Sequence, residues 1–459
     1  MTESRSEKAV LLTIAASQLA VPFMFSAVGV TLPSIGKELH AGGTALGLIE
    51  AVYMGASSAV LLPLGKLGDM TDRRAIFKMG LALFTLTTLL LGFMNHIGVF
   101  IALRLVQGLA AAMMLATNMA ILSEIIPKSS LGRALGFSVG AVYVGLSTGP
   151  FLAGILTTHL GWRWVYHCAF VFALLASLLS FRYIPNNGRL RFVNIDFWGS
   201  TTIIGAITLL VVGSSLQDSG YAGYAVMLAG LALFVLFVWI EGRSIDPLIR
   251  ISMITENRVF TRAVLVQLIN YAATFALTFL FSLYLQSVKG MSPQKAGFIL
   301  MTSPVTMALL SPFFGRLSDR IPPQKIAFTG MFFCFIAISG ASTISPGSSI
   351  WHVCAIFLSQ GIGIAMFSSP NMNIIMNCVD KHQYGIAAAL AANMRTLGMV
   401  LSMVIVITFI SLFIGHSALS AANAGRYMTA MHFSVISFMI LSAFGLLLSL
   451  HISQKPEQS

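Results

Sequence analysis

Apolar residues run in blocks of about 20 from Val10 to Leu450, separated by short polar or Gly/Pro-rich breaks. Each block is long enough to cross a hydrocarbon core of about 30 Å as a helix. The pattern predicts spans at about 9–35, 45–64, 76–94, 97–123, 132–158 and 163–183, then about 198–216 and 221–240. Beyond a charged stretch from Glu241 to Arg262, six more follow at about 263–286, 294–314, 325–343, 350–376, 384–414 and 430–451. Segments such as Leu231 to Ile240 are apolar on every side, whereas the strands of an outer-membrane barrel would alternate apolar and polar residues. The pattern therefore predicts an all-α polytopic membrane protein with 14 transmembrane helices.

Composition sharpens that reading. The 459 residues are 57% hydrophobic and 9% charged, against roughly a quarter charged in a soluble domain. The net charge of +12 would suggest nucleic acid in a soluble protein. Beside a membrane it reflects basic loops held against anionic lipid, so no nucleic-acid partner is expected. With the N-terminus inside, 20 of the 27 Lys and Arg fall on the cytosolic side, five on the other and two, Arg104 and Arg395, within spans. That asymmetry predicts both termini in the cytosol. Cys168, Cys334, Cys354 and Cys378 show no metal or redox spacing and read as packing residues, so neither metal nor cofactor is expected. The N-terminal MTESRSEK is polar, and the run from Ala9 to about Ile35 is too long for a signal-peptide core, which leaves it as the first span.

One repeat is visible. Gly65-Lys66-Leu67-Gly68-Asp69-Met70-Thr71-Asp72-Arg73-Arg74 follows the second span, and Gly315-Arg316-Leu317-Ser318-Asp319-Arg320 follows the tenth, 250 residues later. Each stands after the second span of a six-span block. A duplicated half predicts this, with residues 1–185 as the first half, 186–242 as two inserted helices and 243–459 as the second half.

These motifs resemble the major facilitator superfamily, and within it the 14-span drug:proton antiporter branch. The likeness covers nearly the whole chain. The family's Gly-x-Leu-x-Asp loop with basic residues behind it matches Gly65, Leu67, Asp69, Arg73 and Arg74, with a shorter copy at Gly315, Leu317 and Asp319. The resemblance implies a gate: a glycine turn, an acid near a helix end, and basic partners that clamp one side when closed. Arg104-Leu105-Val106-Gln107-Gly108 looks like the family's Arg-x-x-Gln-Gly. A guanidinium that deep in a span needs a wet cavity or a partner, in the transport pathway or in a structural bond to carbonyls. Gly145, Gly149, Pro150 and Gly154 are similar to the antiporter signature, with Ala153 in place of one glycine, and imply a pivot between access states. Gly361, Gly363, Pro370, Gly385 and the run Asn393 to Gly398 resemble the pattern of the later spans. Arg395 stands about eleven residues into its span, with a substrate-facing and a structural role both open.

The sequence departs from this branch at one informative place. Aligning on Leu32-Pro33 puts Met24 where the first span often carries an aspartate. Glu50 is then the one acid well inside a span, about 22 Å from the cytosolic end at roughly 1.5 Å per residue. It could carry protons with Arg104 beside it, or sit in a wet outer mouth and attract cations. Candidates for a substrate cavity are Gln18, Met24, Tyr53, Asn118, Gln267, Asn270, Gln360, Asn371 and Arg395, although such polar groups serve equally as interhelical bonds. The 24 Met and 33 Phe supply deformable and aromatic walls.

The resemblance implies a secondary active exporter of amphiphilic or cationic drugs, coupled to protons by alternating access. It implies a monomer in the cytoplasmic (inner) membrane of a prokaryote, with a small-molecule substrate, protons and the bilayer as its partners. The missing first-span acid keeps a second reading open, a facilitative exporter of one endogenous metabolite such as a siderophore or amino-acid derivative. An enzyme or channel is disfavoured. The sequence has no nucleotide-binding Gly-rich Lys motif, no His-Glu-x-x-His and no serine nucleophile elbow.

Overall fold

A computed structural model describes residues 2–126, 128–185, 196–217, 220–244, 247–248, 251–380, 384–415, 417 and 423–450, while the side chains of 2–8, 69, 128–133, 135, 251–252 and 385 lie outside the description. All regular structure among the described residues is helical. The first eight helices are α1 (Thr2–Glu38), α2 (Gly43–Met70), α3 (Arg73–Leu91), α4 (Ile97–Ile125), α5 (Lys128–His159), α6 (Arg163–Tyr183), α7 (Phe197–Ser215) and α8 (Tyr221–Glu241). Then come a short α9 (Ile251–Glu256), α10 (Arg258–Thr274), α11 (Leu277–Leu283), α12 (Pro293–Leu300) and α13 (Thr302–Leu317). The last four are α14 (Pro323–Ser342), α15 (Ile350–Asn377), α16 (Tyr384–Phe413) and α17 (Ala424–Leu450).

Fourteen stretches are long and apolar enough to cross a membrane, as the hydrophobic pattern predicts. Two are interrupted. The ninth, Arg258–Val288, breaks between α10 and α11 and ends in a π-helical turn, Tyr284–Val288; the tenth, Pro293–Leu317, is divided at Met301 between α12 and α13. Hydropathy carries no mark of these breaks, and at the first a neighbouring helix satisfies a backbone group. Ser402 Oγ accepts a 3.0 Å bond from the backbone N–H of Ala276 there. The narrow gap between the third and fourth spans is a tight break from Gly92 to His96.

Helix starts follow capping chemistry. The side chains of Asp72, Asp196, Asn257, Ser292 and Ser349 each accept a bond from the first turn of the helix they precede. Inside the spans, threonine hydroxyls bond back to the preceding turn, as Thr85 does to Leu81 O and Thr88 to Phe84 O.

We call the end of the bundle where α1 meets α2 the Glu38 end, and the end where α2 meets α3 the Asp72 end. Among the first six helices, α1 lies along α5 and α6, α2 along α4, and α3 against α4 and α6. Among the last, α14 packs on α15 and α17, α13 on α15, and α10 on α16 and α17. Helices α7 and α8 pair with each other, and α7 also touches α2 and α16. The first six spans meet the last six where α2 faces α16, α5 faces α12 and α13, and α1 faces α11.

Candidate functional site

A buried polar constellation lies between α2, α3 and α4. Arg104 is fully buried and Glu50 is 4% exposed. The guanidinium donates from Nε to Ile49 O at 3.2 Å and from Nη1 to Gln107 Oε1 at 2.7 Å, while Gln107 Nε2 donates to Thr88 Oγ1 at 2.7 Å. Its plane lies over the Tyr53 ring, 4.2 Å from the centroid. Arg104 Nη2 stands 3.7 Å from Glu50 Oε2, and neither carboxylate oxygen of Glu50 has a hydrogen-bond partner among the described residues. Tyr166 of α6 is within electrostatic reach of both charges. Gly108 makes this approach possible, since a methyl group there would sit 2.4 Å from Tyr53 O. The structure thus brings together Glu50, Arg104 and Tyr53. Thr88 and Tyr166 join them with no sequence signal, since each lies in an apolar span on another helix.

A second cluster forms at the Asp72 end. Asp72 Oδ1 caps α3 by accepting from the backbone N–H of Arg74 at 2.9 Å and of Ala75 at 3.3 Å. Arg73 is ion-paired with Glu124, near the end of α4, and Arg74 Nη2 lies 3.8 Å from the same carboxylate. Arg74 Nη1 also donates to Pro185 O at 3.3 Å. Gly65 has open space around it. The side chain of Asp69 lies outside the described residues. In the shorter copy, Asp319 is exposed just after α13, and its neighbour Ser318 accepts a 2.6 Å bond from Asn373. Glu124 stands near the end of its span outside any motif, and nothing in the sequence marks it as a partner for Arg73.

The glycines of α5 press that helix backbone to backbone on two neighbours. A methyl on Gly145 would lie 2.5 Å from Leu19 O, and on Gly149 1.9 Å from Ser26 Oγ, both in α1. Further along, a methyl on Gly154 would lie 2.8 Å from Pro293 O, while one on Gly297 of α12 would lie 2.2 Å from Pro150 O. The α5–α12 seam is at the Glu38 end, where other bonds also join early and late helices. Gln286 Nε2 donates to Val30 O at 2.9 Å, Thr44 Oγ1 to Gly415 O at 2.9 Å, and Gln294 N to Thr158 Oγ1 at 3.0 Å. A recess of about 520 Å³ remains there between Pro33–Ala41 and Gln286–Pro293.

The cavity candidates separate by what they touch. Gln267 Nε2 donates to Ala391 O at 2.7 Å, Asn371 Nδ2 to Gln267 Oε1 at 3.0 Å and to Ala263 O at 3.2 Å, and Gln360 Nε2 to Thr274 O at 2.8 Å. These amides tie α10 to α15 and α16. Met24 is fully buried in the core, and Gln18 and Asn118 are 4% and 2% exposed. Asn270 is 1% exposed, with both amide atoms unpartnered among the described residues. Arg395 alone among these candidates is charged and only partly buried. It makes no hydrogen bond or ion pair with a described residue, and it lies with Tyr271 and Ser311 around Tyr143 of α5. The residue types of Tyr143 and Tyr271 gave no sign of this meeting, which joins helices remote in sequence.

Comparison with known proteins gives these sites a context. A family model described as Major Facilitator Superfamily matches residues 14–403. The chain is 23% identical over 435 residues to the riboflavin transporter RibZ of Clostridioides difficile, covering 95% of each protein. It is 25% identical over 396 residues to the multidrug resistance protein Stp of Mycobacterium tuberculosis, covering 84% of this chain and 73% of Stp. It is 26% identical over 415 residues to the drug efflux pump JefA of the same species, covering 88% of this chain and 81% of JefA.

Proposed function

The chain belongs to the major facilitator superfamily, and from that premise we propose that it exports amphiphilic small molecules in exchange for protons, by alternating access of two six-helix halves. The halves are residues 1–185 and 243–459, with 186–242 as an inserted pair. Relatives named for drug resistance and efflux support the direction of transport. The observation that carries proton coupling is the buried Glu50–Arg104 pair. A carboxylate 3.7 Å from a guanidinium and otherwise unbonded can trade its charge attraction for a bound proton, while Arg104 stays held by Gln107 and Ile49. That trade loosens α2 from α4 and so biases the packing of α2 on α16. The bonds across the Glu38 end correspond to the state closed on that side, with the glycine seam of α5 as the pivot.

The test is transport by inside-out vesicles loaded with the purified protein and offered ethidium, fluorescein or riboflavin. Accumulation of at least one, driven by an imposed pH gradient and abolished by a protonophore, is expected. Movement of all three at rates indifferent to the gradient would remove proton coupling, and movement of none would remove the export reading. The near-complete overlap with a riboflavin transporter favours a second reading, export of one planar metabolite, which predicts that riboflavin alone is moved.

We propose further that the Asp72 end faces the cytosol, in accord with its basic residues. In a background lacking the four native cysteines, Gly347→Cys should react with an impermeant thiol reagent on intact cells, and Arg320→Cys only after the membrane is permeabilised. Labelling of both from outside would overturn this orientation. The Arg73–Glu124 pair is the proposed clamp at that end. Exposed pairs of this kind contribute only about 0–1 kcal/mol to stability, so Glu124→Gln should leave yield and thermal unfolding unchanged while slowing turnover several-fold; wild-type turnover would show that the pair does not gate.

A further inference from the structure

Among the described residues, three carboxylate or guanidinium side chains lie deep in the spans: Glu50, Arg104 and Arg395. Glu50 and Arg104 face each other and cancel. Arg395 is left as a net positive charge. It stands eleven residues into α16, on the side of that helix that carries the α10 contacts, where Gln267 meets Ala391 and Gly398 abuts Leu268 and Tyr271. Tyr143, from the first six helices, is within its electrostatic reach. Arg395 therefore faces the meeting of the two groups of helices rather than lipid. It remains partly exposed there, and no acidic side chain is ion-paired with it among the described residues.

A guanidinium at membrane depth is costly unless an anion or a ring of acceptors satisfies it. Tyr143 is within reach of Arg395, Tyr271 lies against Gly398 one turn along the same face, and Ser311 meets Tyr143; these phenol and hydroxyl groups carry no compensating charge. Five donors in a planar fork match a carboxylate, phosphate or enolate bidentately, and the two tyrosine rings offer flat apolar surface to an aromatic body. A cation placed there would meet like charge with its attraction to Glu50 already taken by Arg104. We infer that this site selects amphipathic organic anions, with Arg395 holding the acid group and Tyr143 and Tyr271 flanking the apolar body. This refines the export reading by naming its substrate class, and it departs from the cationic preference expected from the sequence.

Two xanthene dyes of similar size and opposite charge separate the alternatives: fluorescein and rhodamine 123. Binding is read by fluorescence anisotropy on the full-length detergent-solubilised protein, at one fixed pH at which fluorescein is anionic. Fluorescein should bind the wild type more tightly than rhodamine 123. Arg395→Gln should weaken fluorescein by about 30-fold or more, the loss expected on truncating one side of a desolvated charge pair, without weakening rhodamine 123. Arg395→Lys, which keeps the charge but not the fork, should fall between. Equal or tighter binding of rhodamine 123 by the wild type, binding of neither dye, or fluorescein affinity unchanged in Arg395→Gln would each overturn the assignment. If Arg395→Gln does not fold, the wild-type preference and Arg395→Lys decide it. Fluorescein bound through Arg395 but never moved across vesicles would leave this site standing and remove the export reading instead.

Discussion

Glu50→Gln is expected to reduce pH-gradient-driven accumulation to the level of protein-free liposomes while leaving downhill exchange of the same substrate in place. The substitution keeps the size of the side chain and removes only its ability to ionise. Its partner is not stranded, because Arg104 keeps its bonds to Gln107 Oε1 and Ile49 O and its place over the Tyr53 ring. The reverse change is different in kind. Arg104→Gln would leave a carboxylate buried with no described hydrogen-bond donor, and breaking a buried pair from one side costs about 3–5 kcal/mol, so a loss of folded protein is expected there. Measuring both variants by thermal unfolding and by transport in proteoliposomes separates coupling from stability. Undiminished gradient-driven accumulation by Glu50→Gln would show that the proton travels by another group.

Gly297→Leu is expected to abolish transport with the protein still inserted and folded. A Cβ at that position would lie 2.2 Å from Pro150 O and crowd the Gly154 Cα at 3.3 Å, so α5 and α12 could not close at the Glu38 end. Each helix can still pack on its other neighbours, α5 on α1 and α12 on α11 and α15. The variant should therefore be trapped open on that side. A cysteine introduced at Ser287, in the recess there, should react with a bulky thiol reagent faster than in the parent protein. Transport at the wild-type rate would show that closure at this seam is not part of the cycle. Gly65→Ala, by contrast, has open space for its methyl group and should be silent as far as packing is concerned.

The fold was legible because the membrane imposes it: runs such as Leu231 to Ile240 leave a chain no other way to satisfy its backbone. The divided ninth and tenth spans were not, since local hydropathy carries no mark of the break between α10 and α11, where Ser402 of a distant helix bonds the Ala276 N–H. At the candidate site, Glu50 and Arg104 stood out because charge is rare in a span, and their juxtaposition agrees with helices α2 and α4 packing side by side. The amides were ambiguous for a physical reason. Gln267 and Gln360 look alike in sequence whether they face a ligand or a carbonyl, and only the packing shows that they hold Ala391 and Thr274. Arg395 was visible as a charge, but its lack of a described counter-charge is a property of three dimensions.

The position of α7 bears on the cost of the motion. It lies against both α2 and α16, while its companion α8 presents Leu228, Leu231, Val235 and Trp239 outward. In the alternating access proposed above, α2 slides past α16, so α7 would follow one of them and part from the other, and lipid chains would fill or vacate the gap that opens. Part of the work of each such cycle would then be done on the bilayer, and acyl-chain length and lateral tension would become determinants of turnover. On that proposal the α7–α8 hairpin would turn the surrounding lipid into a spring attached to the moving parts.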